Sequence, residues 1–138
     1  MDLKEEFANH LLSAHGFHLN PKTWEDAWAE PPGKWEEQIE RARKWLILMD
    51  KTKKLNRRIG SSYGLKHRVE RWHRRNDPGC DAYVANGCFL MAAIRLGFIF
   101  SPIPQVYCWK NSKGSYEQFN AFLNISSKSV NAADNFKC

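Results

Sequence analysis

The sequence predicts a mostly α-helical fold, a compact domain of five to six helices with at most a small β-hairpin. Three observations predict it. Apolar residues recur at helical spacing through most of the chain up to Leu96. The segment from Ala82 to Leu96 is apolar on nearly every side, as a buried central helix would be. Gly and Pro clusters fall where such helices would end, and only the stretch after Phe98 is irregular enough for strands.

The elements follow in order. Leu3, Phe7, Leu11, Leu12 and Ala14 repeat at helical spacing, which predicts a helix from Asp2 to His15 that stops at Gly16. Asn20-Pro21 reads as a cap and first turn, opening a short helix that carries Trp24 and Trp28 and ends at Pro31-Pro32-Gly33. The longest helix is expected from Lys34 to Asn56. Trp35, Ile39, Ala42, Leu46 and Met49 form its stripe, with acids at its start and Lys51, Lys53 and Lys54 at its end to suit the dipole. Gly60 and Ser61-Ser62 break that pattern. A further helix from Ser62 to Arg75 turns Leu65, Val69 and Trp72 inward, and Asn76-Asp77-Pro78-Gly79 is a turn. The central helix 82–96 stops at Gly97. Beyond it Phe98–Phe100 and Val106–Trp109 can pair as a hairpin, Tyr116–Leu123 is a helical turn or a strand, and the Ser- and Ala-containing tail is a short helix. As domains, residues 1–58 form an acidic, Trp-rich helical part with a basic end, and residues 59–138 form the main part around 82–96. The two are expected to make one compact unit.

Charge is the strongest functional signal. Residues 51–75 hold ten Lys or Arg against the single acid Glu70, a net +9 in a chain of net +6, while residues 1–40 are net −6. A concentrated basic segment is the footprint of an anionic partner. The expected contact residues are Lys53, Lys54, Arg57, Arg58, Lys66, Arg68, Arg71, Arg74 and Arg75, with Tyr63, Trp72 and His73 able to stack on exposed bases. The bland alternative is internal: the bases pair with the acidic N-terminal helices, and Trp72 is core. The tryptophans allow a second surface. Trp24/Trp28 and Trp35/Trp45 are either core or a protein-docking face beside acids.

Catalytic readings are weaker, and no enzyme and no cofactor is expected. His67, His73, Cys80 and Cys88 lack the paired spacing of a structural zinc site. A trio of Cys88, His67 and Asn86 could be drawn as a nucleophile and its helpers, but four Cys and five His offer many such trios. Gly60-Ser61-Ser62-Tyr63-Gly64 lacks the Lys-Ser/Thr ending of a phosphate loop. A helix-turn-helix built from 62–75 and 82–96 would have too long a link and too apolar a recognition helix. No apolar run is long enough to span a membrane and the acidic start is unlike a signal peptide, so residence in the cytoplasm of a host cell, with reduced cysteines, is the expectation.

Ser62-Tyr63-Gly64-Leu65-Lys66-His67, Tyr83-Val84-Ala85-Asn86-Gly87-Cys88-Phe89 with Ala92-Ala93 and Gly97-Phe98, and Asn120-Ala121-Phe122-Leu123-Asn124-Ile125-Ser126 resemble small accessory proteins of phages and mobile elements. About half the chain is covered, without the Trp-rich start. The resemblance implies an anti-defence setting, of which anti-CRISPR proteins are the best-known set. Such proteins act without catalysis, by occluding a nucleic-acid path or a nuclease-docking surface. Many of them are acidic, and the basic balance here counts against DNA mimicry. The expected function is a non-enzymatic inhibitor or modulator of a nucleic-acid-handling complex, its partner a host protein or ribonucleoprotein, nucleic acid, or both. The alternative is a sequence-tolerant DNA- or RNA-binding regulator.

Overall fold

Helices hold 52% and strands 18% of the residues described by the computed structural model, which are 2–18, 34–102 and 120–135. The fold is therefore mixed α/β, with five helices and two small sheets among the described residues, and the expectation of helices with at most one hairpin is corrected.

Helix α1 (Leu3–Asn9) begins where the Asp2 carboxylate accepts the Glu5 N–H at 2.8 Å. It ends well before His15. Leu11 takes a left-handed φ of 52° and turns the chain into a hairpin, β1 (Leu12–Ser13) with β2 (Gly16–Phe17). Leu11, Leu12 and Ala14, which suit a helix by spacing, belong to this turn and hairpin. The helix expected from Asn20, and the strand expected at Val106–Trp109, lie outside the described residues.

Helix α2 (Trp35–Leu46) buries the expected stripe of Trp35, Ile39, Ala42 and Leu46, together with Trp45. It does not reach Asn56. After Met49 the chain becomes strand β3 (Lys51–Asn56), an edge of an antiparallel sheet in the order β3-β5-β4. Its partners are β5 (Ala121–Ile125) in the centre and β4 (Phe100–Pro102) at the other edge. Phe100 thus pairs with Leu123. Buried Asn124 ties the strands together: its side-chain N–H donates to the Thr52 carbonyl at 2.9 Å and its Oδ1 accepts the Ile99 N–H at 2.7 Å. These bonds override the helical propensity of 51–56.

Helix α3 (Ser62–Asn76) matches its expected span, with Leu65 and Val69 buried and Trp72 half-buried. Helix α4 (Asn86–Arg95) is the buried centre, with Asn86 to Ala93 all inaccessible, and packs most extensively on α2. It starts later than Ala82 because the backbone before it is held by side chains. Glu70 accepts the Val84 N–H at 3.0 Å and Gln38 accepts the Ala85 N–H at 2.8 Å. Helix α5 (Ser127–Asn135) closes the described chain. One buried cluster runs from Phe7 to Ala133 and takes residues from both sides of position 58. No helix among the described residues is long and apolar enough to cross a membrane.

Candidate functional site

The basic stretch folds into two elements joined by a turn, β3 and α3, with α5 between them. The start of β3 meets α5 where the Asp50 N–H donates to Ser129 Oγ at 3.1 Å, and its end where Asn56 Nδ2 donates to Ser127 Oγ at 2.7 Å. Toward the other end of α5, Asp134 accepts from Arg68 through its carboxylate and from Arg75 through its carbonyl. The exposed residues of α5 are Lys128, Asn131, Ala132 and Asn135, so the helix adds no unpaired acid to the surface it bridges.

The nine expected contact residues divide by what holds them. Lys53, Lys54, Arg57 and Arg58 are exposed on β3 and the turn after it, and Arg71 and Arg74 are exposed on the last turns of α3. None of these six has an ion pair among the described residues, and Arg57 lies over the Phe122 ring at 5.7 Å. Arg68 and Arg75 are exposed only in part of their function, since both are engaged by Asp134. Lys66 is a correction. It is 6% exposed, lies 3.4 Å from Glu70 Oε2, and sits over the rings of Tyr63 and Tyr83 at 5.4 and 5.1 Å. Its charge is spent inside the protein.

The internal-pairing alternative fares differently. Among the described residues, four acids of the N-terminal helices find bases, none of them from the 51–75 stretch. Glu6 binds Arg95 at 2.5 and 2.8 Å, Glu36 reaches Arg95 at 3.5 Å, Glu37 reaches Arg41 at 3.6 Å, and Glu40 binds Arg43 at 2.6 and 2.7 Å. The Arg95 bond holds the Glu6 carboxyl below its usual range, and Arg43 does the same for Glu40. Among the described residues, Glu6, Glu36, Glu37 and Glu40 thus pair with Arg41, Arg43 and Arg95 and with no base of the 51–75 stretch.

Two shallow clefts open beside α5. One, of about 450 Å³, is lined by Arg71, Arg74, Arg75 and Asp134. The other, of about 600 Å³, is lined by Leu48, Asp50, Trp72, Lys128, Ser129, Ala132 and Ala133. Trp72 packs on the core with part of its surface and lines this cleft with another. Neither the aromatic wall nor the role of α5 carries a charge signal. Sequence reasoning therefore gives Trp72 as a core or stacking residue and the tail as a short helix, but assigns that helix no part in the site.

The catalytic alternatives come apart. His67 Nδ1 is 2.8 Å from Glu70, His73 Nε2 donates to the Arg41 carbonyl at 2.8 Å, and Cys80 Sγ is 3.6 Å from the His73 carbonyl. Cys88 is fully buried, and burial pushes its thiol far up from the ordinary range, the opposite of a thiolate nucleophile. Asn86 donates to the His15 carbonyl and to Asn120 Oδ1. No group of three or more His, Cys, Asp or Glu that could hold a metal occurs among the described residues. The helix-turn-helix also fails, because the link runs from Asp77 to Ala85 and the would-be recognition helix is α4, the core. Trp35 and Trp45 are buried at 9% and 0% exposure, so neither is a docking residue, while Trp24 and Trp28 lie outside the described residues. No protein-family profile, curated protein or solved structure matches the chain.

Proposed function

We propose that this chain is a non-enzymatic binding protein that holds the phosphate backbone of DNA or RNA within a nucleic-acid-handling complex and thereby inhibits or modulates it. The setting is the one implied by the resemblance to anti-defence proteins of phages and mobile elements. One observation supports the reading above the others. Of the ten bases in 51–75, Lys66 and Arg68 pair with acids, Lys51 and Arg75 bind backbone carbonyls, and the other six stand exposed without an ion pair among the described residues. Six uncompensated cations on an edge strand and a helix end are what phosphate neutralisation uses.

The test is the salt dependence of binding to generic duplex DNA and to RNA. Six neutralised phosphates would give a slope of log K against log salt of about −5 on duplex DNA. Lys53→Glu/Lys54→Glu and Arg71→Glu/Arg74→Glu each lower the slope and the affinity. Tight binding to free nucleic acid across sequences favours the sequence-tolerant regulator. Binding to nucleic acid only inside a host ribonucleoprotein favours the inhibitor. Absence of binding in both, at low salt, refutes the phosphate role.

A further inference from the structure

We propose that the two clefts beside α5 are one bipartite site for a single-stranded nucleic acid, with a base against Trp72 and its phosphate among Arg71, Arg74 and Arg75. This rests on the phosphate-binding function proposed above and names the strand form that it takes.

The clefts adjoin. Arg71 lines the first and Trp72 the second, as neighbours on α3; Asp134 lines the first and Ala133 the second, as neighbours on α5. Both clefts are thus lined by successive positions of the same two helices. The compartments differ in chemistry as the two halves of a nucleotide do. The first is lined by Arg71, Arg74 and Arg75, of which Arg75 also donates to the Asp134 carbonyl, and its one acid, Asp134, is paired with Arg68. Planar guanidinium groups suit phosphate oxygens better than a point charge does. The second has an indole wall from Trp72, an aliphatic wall from Leu48 and a floor of Ala132 and Ala133. Small floor residues leave room for a flat ring, and about 600 Å³ is within the range of clefts that enclose a small organic group. Asp50 and Lys128 at its rim offer one acceptor and one donor to a base edge.

A paired duplex cannot use the second compartment, because its bases are stacked and turned inward. A single strand can, and stacking on an aromatic side chain is tolerant of sequence. The same helix supplies both the cations and the ring, so the backbone would run along the last turns of α3 with one base folded into the crevice. Charge decides the occupant: an apolar peptide would leave the arginines unused, and a protein helix would strand them against its own backbone dipoles.

The experiment compares affinities, by fluorescence anisotropy, for a short labelled single strand, the duplex of the same sequence, and a single strand of equal length without bases. The wild-type protein is expected to bind the normal strand about tenfold more tightly than the abasic one. Trp72→Ala abolishes that difference. Since Trp72 also packs on the core, Ala132→Phe gives an independent check. Ala132 is exposed and lines the compartment, so an added ring there occupies it while the core side chains are unchanged, and the same loss is expected. Arg71→Ala/Arg74→Ala weakens all three ligands. Equal affinity for normal and abasic strands, with Ala132→Phe inert, overturns the base compartment while phosphate binding stands. Competition by adenosine monophosphate as effective as by the strand also overturns it, since the crevice would then be a mononucleotide pocket. No binding of any ligand at low salt overturns both.

Discussion

Replacing Gly87 by Ala tests the packing that brings the N-terminal hairpin onto the central helix. Gly87 lies in the first turn of α4 and its N–H donates to the Ala14 carbonyl at 3.0 Å. A Cβ there would coincide with the Ser13 carbonyl oxygen, and would also lie 2.7 Å from Ser13 C and 3.3 Å from Ala14 C. These are backbone atoms, so no side-chain rotation relieves the overlap and the hairpin must move. Overpacking a tight contact costs about 1–3 kcal/mol. Breaking the buried Gly87–Ala14 bond adds about 1–3 kcal/mol. The better helix propensity of Ala returns about 1 kcal/mol. The expected net loss is about 1–5 kcal/mol, centred on about 3, a large part of the 5–15 kcal/mol typical of a domain. Urea denaturation followed by Trp fluorescence should show it as a midpoint about 1–2 M lower at an unchanged slope. Gly64→Ala is the control. Gly64 is exposed within α3 and nothing lies within 4 Å of its added Cβ, so that variant should be neutral or gain up to about 1 kcal/mol. If Gly87→Ala matches Gly64→Ala, the hairpin does not seat on α4 as described.

Two further predictions concern buried ionisable groups. Glu70 accepts from the Val84 N–H and from Lys66 and pairs with His67, at 5% exposure, so Glu70→Ala should leave the Lys66 ammonium buried and uncompensated and cost about 3–5 kcal/mol. Lys66→Met/Glu70→Leu should recover much of that loss in the same denaturation assay, and a Glu70→Ala loss under about 1 kcal/mol would contradict the pairing. His18, fully buried in the hairpin region, has its pKa lowered from 6.5 to about 4, chiefly by burial and secondly by the charge of His15. The unfolded chain takes up the proton below about pH 6.5 and the folded chain only near 4, so this stability is intact above 6.5 and declines as pH falls through that window. The decline is up to about 3 kcal/mol, seen as a difference between wild type and His18→Leu in urea midpoints at about pH 7 and about pH 4.5. Parallel midpoints for the two proteins would refute it.

The parts of the fold that were legible in the sequence are those fixed by neighbours along the chain. Helix α3 lies between Gly60-Ser61 and the Asn76–Gly79 turn, and both ends were found within a residue. The stripe of α2 and the burial of α4 follow from apolar spacing that any partner would satisfy. Strand β3 was misread because nothing local forbids a helix in Lys-Thr-Lys-Lys-Leu-Asn. Its strand form comes from β5, with Lys51 opposite Ile125, and from Asn124, far along the chain. The end of α1 depends likewise on a left-handed Leu11 and on a hairpin that finds its seat against Gly87. The apolar residues of that hairpin are the same ones that mark a helix at longer range.

The site shows a similar division between sum and partner. A charge run states how many cations lie together and nothing about which are spent. Lys66 was counted as a contact residue although Glu70, the single acid in the stretch, stands four positions later on the same helix, the spacing of a paired neighbour. Once that pair, the Arg68–Asp134 pair and the two carbonyl bonds are removed, the net +9 of the sequence becomes six exposed cations in two groups. What joins the groups is α5, which has one acid and one base and no marked composition. Its Asp134 reaches both Arg68 and Arg75 on α3, while Ser127 and Ser129 bind β3. A nearly uncharged helix of small residues is therefore bonded both to the β3 segment and to α3, the two elements that carry the exposed cations. If the proposed site is right, a substitution on α5 that preserves charge, such as Ala132→Phe, lowers strand binding as one in the basic stretch does.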